Sequence, residues 1–260
     1  MCVILQCDDH IPKLDMLQDA EKTNRDGGGF AYTRDGLVHW EKGLHVTAEY
    51  VAQYVKKHKL TKKNNLIVHF RIGTHGANND MLCHPFPLGM NKDGTALSNR
   101  TRGTTRQSVM FHNGVWSEYD EFAVKLAFNN PNIRIPDGDM SDSSIMAWCA
   151  SHKGINFLEF TGEKVIVLSP EGIERFGDGW TKVNNISCSN DLFDPTPNWG
   201  YSGNFTYKEK KLDTKIESIE DYEDAYQSQF LDGQSFYCAD ELDYLDGNKL
   251  QARRYDKEPL

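Results

Sequence analysis

The sequence predicts a mixed α/β domain, and three observations carry that prediction. Short apolar runs of strand length alternate with longer segments whose apolar residues recur at helix spacing. Turn residues, chiefly glycine and asparagine, separate them. The 260 residues are 38% hydrophobic and 11% aromatic, enough for one large core with or without an appendage, which argues against a chain disordered throughout.

The elements follow in chain order. Residues 1–6 read as a short buried strand. Asn24-Arg25-Asp26-Gly27-Gly28-Gly29 leads into Phe30-Ala31-Tyr32, a tight turn entering a strand. Thr47 to Lys59 places Tyr50, Val51, Tyr54 and Val55 on one helix face. Leu66 to Arg71 and Ser108 to Phe111 read as buried strands. Between them, residues 90–107 read as a loop or a long hairpin tip. Asp120 to Phe128 is predicted helical. So is Ser141 to His152, where Ser141 is an N-cap and Asp142 an acid in the first turn. Asn156–Phe160 and Lys164–Leu168 are expected to pair as a hairpin around Thr161-Gly162-Glu163.

Composition shifts near residue 195, which divides the chain into 2–195 and an extension, 196–260. From Tyr201 on there are 14 acids and 8 Lys/Arg, a net of −6, and seven of the eleven tyrosines. Ile216, Ile219, Tyr222, Tyr226 and Phe230 fall on one face of an expected amphipathic helix. That face is read as ordinary core or as a docking element.

The chain's formal charge of −9 excludes nucleic-acid binding through general basicity, so no nucleic-acid partner is expected. No run of 18 apolar residues predicts a membrane span, and the start of the chain lacks the pattern of a signal peptide. Six cysteines without a C-x-x-C pair point to free thiols and a cytoplasmic location.

Five segments could carry chemistry. Met1 is followed by Cys2, a residue small enough to permit removal of the initiator methionine. Cys2 would then hold a thiol and a free α-amine, a base with a pKa of about 7.7–8.0, on one residue. The plainer reading is a buried small residue. The glycine run at 27–29 is a turn in either reading, and no G-K-[ST] follows to make it a phosphate loop. His69-Phe70-Arg71-Ile72-Gly73-Thr74-His75-Gly76, then His84-Pro85-Phe86, ends a buried strand in polar groups that need partners. Arg71 there suits a carboxylate. A zinc site from His69, His75, His84 and His112 competes, but the spacings fit no standard zinc motif, so no metal is expected. His112-Asn113-Gly114 is either a plain turn or a side-chain amide beside a backbone N–H, the donors of an oxyanion hole. Asp142 in Ser141-Asp142-Ser143 complements a helix dipole or receives an ammonium.

Taken in order, Met-Cys, N-x-D-G-x-G, R-x-x-T-H-G, H-P-F, H-N-G and S-D-S resemble the class II glutamine amidotransferases, a family of N-terminal nucleophile hydrolases. The resemblance spans about residues 2–160. A looser likeness to small stand-alone members continues through Gly172–Gly177 and Ser187–Asn190. It implies an α+β fold, the four-layer αββα sandwich of that superfamily. It implies Cys2 as nucleophile, its freed amine as base, and Asn113 with Gly114 as oxyanion hole. Arg71 would hold the α-carboxylate of glutamine, Thr74 and His75 would line the site, and Asp142 would hold the α-ammonium. Asp26 and Gly27 would shape the floor. Val3, Gly28 and Ser144 depart from the family's frequent residues without touching these groups.

The expected activity is therefore a glutamine amidohydrolase working through a cysteine thioester, with no cofactor. No segment is left for a domain that consumes ammonia, so a separate synthase or ligase is the expected partner. The alternatives are hydrolysis of another γ-glutamyl amide or peptide, and a non-catalytic binding module on the same scaffold. A Cys/His peptidase is a weaker option.

Overall fold

A computed structural model describes residues 2–73, 77–89, 100–130, 133, 135, 136 and 138–195. The strands are β1 (Val3–Gln6), β2 (Gly28–Arg34), β3 (Leu37–Gly43), β4 (Ile67–Phe70), β5 (Phe86–Pro87), β6 (Arg102–Thr105), β7 (Val109–Asn113), β8 (Lys164–Ser169), β9 (Gly172–Phe176), β10 (Thr181–Val183) and β11 (Ile186–Cys188). The helices are α1 (Leu14–Thr23), α2 (Ala48–His58), α3 (Tyr119–Asn129) and α4 (Asp142–Lys153). The strands form two antiparallel sheets, a larger one ordered β10-β11-β1-β4-β2-β3-β6 and a smaller one ordered β5-β7-β8-β9. The chain is thus a mixed α+β protein.

Strand alternation sorts the apolar side chains into three clusters. Val3 and Leu5 of β1, Phe30 and Tyr32 of β2, and Val68 and Phe70 of β4 pack with Met16, Leu17 and Ala20 of α1 and Val51 of α2. The intervening residues Ile4, Ala31, Trp40 and Ile67 meet Val109, Phe111, Ile166 and Leu168 of the smaller sheet. Met110, Val165 and Val167 point the other way, onto Ala123 and Leu126 of α3 and Ile145, Met146, Trp148 and Cys149 of α4. Strands buried on both faces explain why β1 and β4 read as largely apolar runs without alternation.

Helix ends follow local chemistry. Thr47 caps α2 by accepting the Tyr50 N–H at 3.2 Å, and Lys59 closes it in the left-handed conformation. Ser141 and Ser144 form a reciprocal capping box at the start of α4, which places Asp142 at the first helical position.

Two consecutive glycines pass through the middle of the larger sheet. A Cβ on Gly28 would lie 2.7 Å from the Val46 carbonyl oxygen, and one on Gly29 would lie 1.9 Å from that of His84. Backbone therefore closes on β2 from both faces.

Two sequence expectations are corrected. The hairpin between Asn156–Phe160 and Lys164–Leu168 does not form. Ile155–Thr161 is a 3-10 segment that buries Phe157 and Leu158, and Lys164–Ser169 pairs with Gly172–Phe176 instead. Adjacent buried residues suit a tight helical turn and not the alternation of a strand. Within residues 90–107, expected as a loop or a long hairpin tip, residues 102–105 form β6, which pairs with β3 on the edge of the larger sheet. Residues 90–99 and the extension 196–260, with its expected amphipathic helix, lie outside the described residues.

Candidate active site

Four chain segments converge at one end of the sheets. The Val3–Phe70 pair ends the regular ladder between β1 and β4, so Cys2 and Arg71 emerge side by side just beyond it. The Cys2 thiol lies 3.5 Å from the Ile72 N–H and 3.6 Å from the Ile72 carbonyl oxygen. Burial pushes the thiol pKa above its ordinary value. The Ile72 N–H and the Arg71 charge oppose that shift, and the Asp142 charge adds to it. Both charges therefore act on the same sulfur. A thiol held protonated needs a base before it can attack.

The turn before β2 forms the adjoining wall. Asp26 N–H donates to the Arg71 carbonyl at 2.9 Å, and Arg71 N–H donates to the Gly27 carbonyl at 2.8 Å. The Asp26 carboxylate accepts the Gly73 N–H at 2.8 Å. Gly27 has a φ of 100°, and a Cβ there would lie 2.7 Å from the Cys83 sulfur. Both its backbone conformation and its packing call for glycine.

Arg71 is 4% exposed. Its guanidinium donates to Asn78 Oδ1 at 3.1 Å and to the Ala77 carbonyl at 3.3 Å. Asp142 is 7% exposed. Its carboxylate accepts the Trp116 N–H at 3.2 Å and the Ser143 N–H at 2.8 Å. A buried cation and a buried carboxylate thus both act on the cysteine's thiol. That arrangement can receive a zwitterion such as an amino acid.

Asn113 ends β7. Its Nδ2 donates to Ser189 Oγ at 2.8 Å, and the same hydroxyl accepts the Ile4 N–H at 2.9 Å. Asn190 Nδ2 donates to the Cys2 carbonyl at 2.8 Å. Ser189 and Asn190 thereby tie the end of β7 to the beginning of β1. The Asn113 Oδ1 is buried without a hydrogen-bond partner among the described residues. Gly114 follows, beside Glu163. A Cβ there would lie 1.6 Å from Glu163 Oε2.

The structure therefore gathers Cys2, Asp26, Gly27, Arg71, Asn113, Gly114 and Asp142. Thr74 and His75 lie outside the described residues. Glu163 and the Ile72 backbone carry no site motif in the sequence, and Ser189 and Asn190 fall only within a loosely matching segment. Their signal is tertiary: each sits far in sequence from the group it touches.

Among the described residues no group of three or more His, Cys, Asp or Glu side chains could hold a metal ion. His69 and His84 pack ring to ring, with centroids 4.1 Å apart, and burial drives the pKa of His69 down to about 3 and that of His84 well below its ordinary value. Gly29 stands opposite both His69 and Lys42 in the sheet, and a Cβ on it would lie 2.9 Å from that of Lys42. Lys42 is fully buried there. Its ammonium donates to the Met81 carbonyl at 2.7 Å and lies over the Phe86 ring, and burial lowers its pKa to about 7.

Fold and site together define an α+β protein with a cysteine-centred polar cluster at the strand ends of two antiparallel sheets. No helix among the described residues is long and apolar enough to cross a membrane. No protein-family model matches the chain, and no curated protein matches its sequence. Among solved structures it is similar to the glutamine phosphoribosylpyrophosphate (PRPP) amidotransferase from B. subtilis complexed with ADP and GMP, with a TM-score of 0.47 and 12% identity. The match covers 74% of this chain and 42% of that one, so the chain spans less than half of that structure's length.

Proposed function

We propose that this chain is a class II glutamine amidotransferase domain of the N-terminal nucleophile hydrolase type, acting as a glutamine amidohydrolase. One observation carries the reading. Cys2 and Arg71 leave paired strand ends side by side, and Asn113 is tethered to the same strand end through Ser189. The three clusters, with helices outside two facing sheets, favour the four-layer αββα arrangement.

In this reading Met1 is removed, and the α-amine of Cys2 takes the thiol proton. The thiolate attacks the γ-carboxamide carbon of glutamine. The oxyanion that forms accepts hydrogen bonds from the Asn113 amide and the Gly114 N–H. The C–N bond then breaks, and ammonia leaves with the proton returned by the amine. A γ-glutamyl thioester remains on Cys2. Water, deprotonated by the same amine, attacks the thioester, releases glutamate and restores the thiol. Arg71 pairs with the α-carboxylate, Asp142 pairs with the α-ammonium, and Asp26 with Gly27 shapes the floor. Thr74 and His75 are proposed to complete the lining.

The division into a catalytic unit, 2–195, and an extension, 196–260, belongs to the same proposal. So does a separate ammonia-using synthase or ligase as partner. The test is glutamate release from glutamine by protein whose intact mass shows loss of Met1. Processed protein that releases none, at any concentration of glutamine, overturns the reading.

A further inference from the structure

The geometry points to His112 as a positioning residue that holds Asp142 for the substrate's α-ammonium. This inference rests on the reading of Asp142 given above and extends it to groups that reading does not use.

His112 faces the helical side of β7, the side on which Met110 joins the apolar cluster with α3 and α4. A buried imidazole is costly unless its nitrogens find partners. His112 is 2% exposed, and its ring reaches in two directions. Nδ1 lies 2.8 Å from Ser143 Oγ and 3.9 Å from Asp142 Oδ2. Ser143 Oγ lies 3.4 Å from Asp142 Oδ1, so hydroxyl and ring together flank the carboxylate.

On the other side, Nε2 lies 3.6 Å from Glu163 Oε2 and has no hydrogen-bond partner among the described residues. Glu163 reaches that position over Gly114. Any side chain on Gly114 would occupy the carboxylate's place and crowd Nε2, 3.0 Å from the missing Cβ. The histidine thus stands between two carboxylates on the residue preceding the Asn113–Gly114 pair. The Trp116 and Ser143 N–H groups hold Asp142 from the backbone side, and His112 with Ser143 Oγ limits where the carboxylate can turn.

A residue acting through Asp142 has a measurable signature. His112→Gln, in Met1-free full-length protein, is expected to raise the KM for glutamine about tenfold with a much smaller change in kcat. In an Asp142→Asn background the same substitution should add nothing, because the group it positions no longer carries charge. Ser143→Ala, which removes one hydroxyl, provides the same cycle should His112→Gln fail to fold. Glutaramate, which lacks the α-amine, gives a second readout: the His112→Gln penalty seen with glutamine should vanish with it. Equal penalties in both backgrounds, or on both substrates, overturn the role while leaving the glutaminase reading intact. Wild-type protein that neither binds nor hydrolyses glutamine removes both.

Discussion

Asn113 donates its side-chain amide to the Ser189 hydroxyl at 2.8 Å, and through that hydroxyl the end of β7 is held against the N–H of Ile4. The amide has a second N–H, which this tether leaves for a developing oxyanion. Ser189→Ala should therefore lower kcat by about tenfold and lower stability by about 2 kcal/mol, because two buried donors lose their shared acceptor. Asn113→Ala removes the donor itself and should lower kcat by about 10²–10³. Steady-state kinetics with denaturant titration separates the two. A Ser189→Ala protein as slow as Asn113→Ala would mean that Ser189 acts on the substrate directly.

Cys2→Ala should abolish glutamine hydrolysis and covalent labelling by a glutamine-like electrophile. An uncleaved N-terminal tag should do the same, because an amide nitrogen cannot serve as the base. Mass mapping of the label decides the point. Labelling that persists at Cys83 or Cys149 would falsify the assignment. Burial raises the thiol pKa of both, Cys83 to about 11, so neither is expected to react at neutral pH.

Arg71→Ala and Asp142→Ala should act mainly on KM, by about 10–10²-fold, because each pairs with a charged group remote from the scissile amide. Arg71→Lys should rescue only in part. The lysine cannot reproduce the fork that reaches Asn78, the Ala77 carbonyl and a carboxylate together. Small, equal effects from all three variants would place the substrate elsewhere.

Acid should destabilise the fold before the carboxylates titrate. The folded pKa of His69 is about 3, against an ordinary 6.5. Between those values the unfolded chain binds a proton that the folded chain does not. Stability therefore falls as pH drops from about 6.5 toward 3, at about 1.4 kcal/mol per pH unit for one such group. His84, shifted the same way, steepens the slope. Urea midpoints measured from pH 6.5 to 5 test this, since carboxylates stay mostly ionised there. His69→Gln should flatten the dependence. An unchanged slope would show that His69 does not account for it.

The elements legible in the sequence were those whose signals are local. Ser141 announced α4 because a serine cap and a first-turn aspartate need no tertiary partner. The strand ending at Asn113 was legible as an apolar run closed by Asn-Gly. The first helix was not: Lys13 stands at its cap without a side-chain hydrogen bond, and its face is short. The 3-10 segment reads as a strand in sequence because a brief apolar run carries no decisive period. At the site, motif residues could be named from their spacing. The groups that aim them could not, since Ser189 lies 76 residues from Asn113 and Glu163 reaches Gly114 from the bend before the neighbouring strand.

Gly28 and Gly29 carry a consequence for how this chain tolerates change. Carbonyl oxygens stand where their side chains would begin, one on each face of β2, and no rotamer can move a carbonyl aside. In a saturation library selected for folded protein, these two codons should return glycine alone, even though neither residue is assigned to a substrate. Two adjacent blank columns would then mark the backbone's own crowding, independent of any selection for activity.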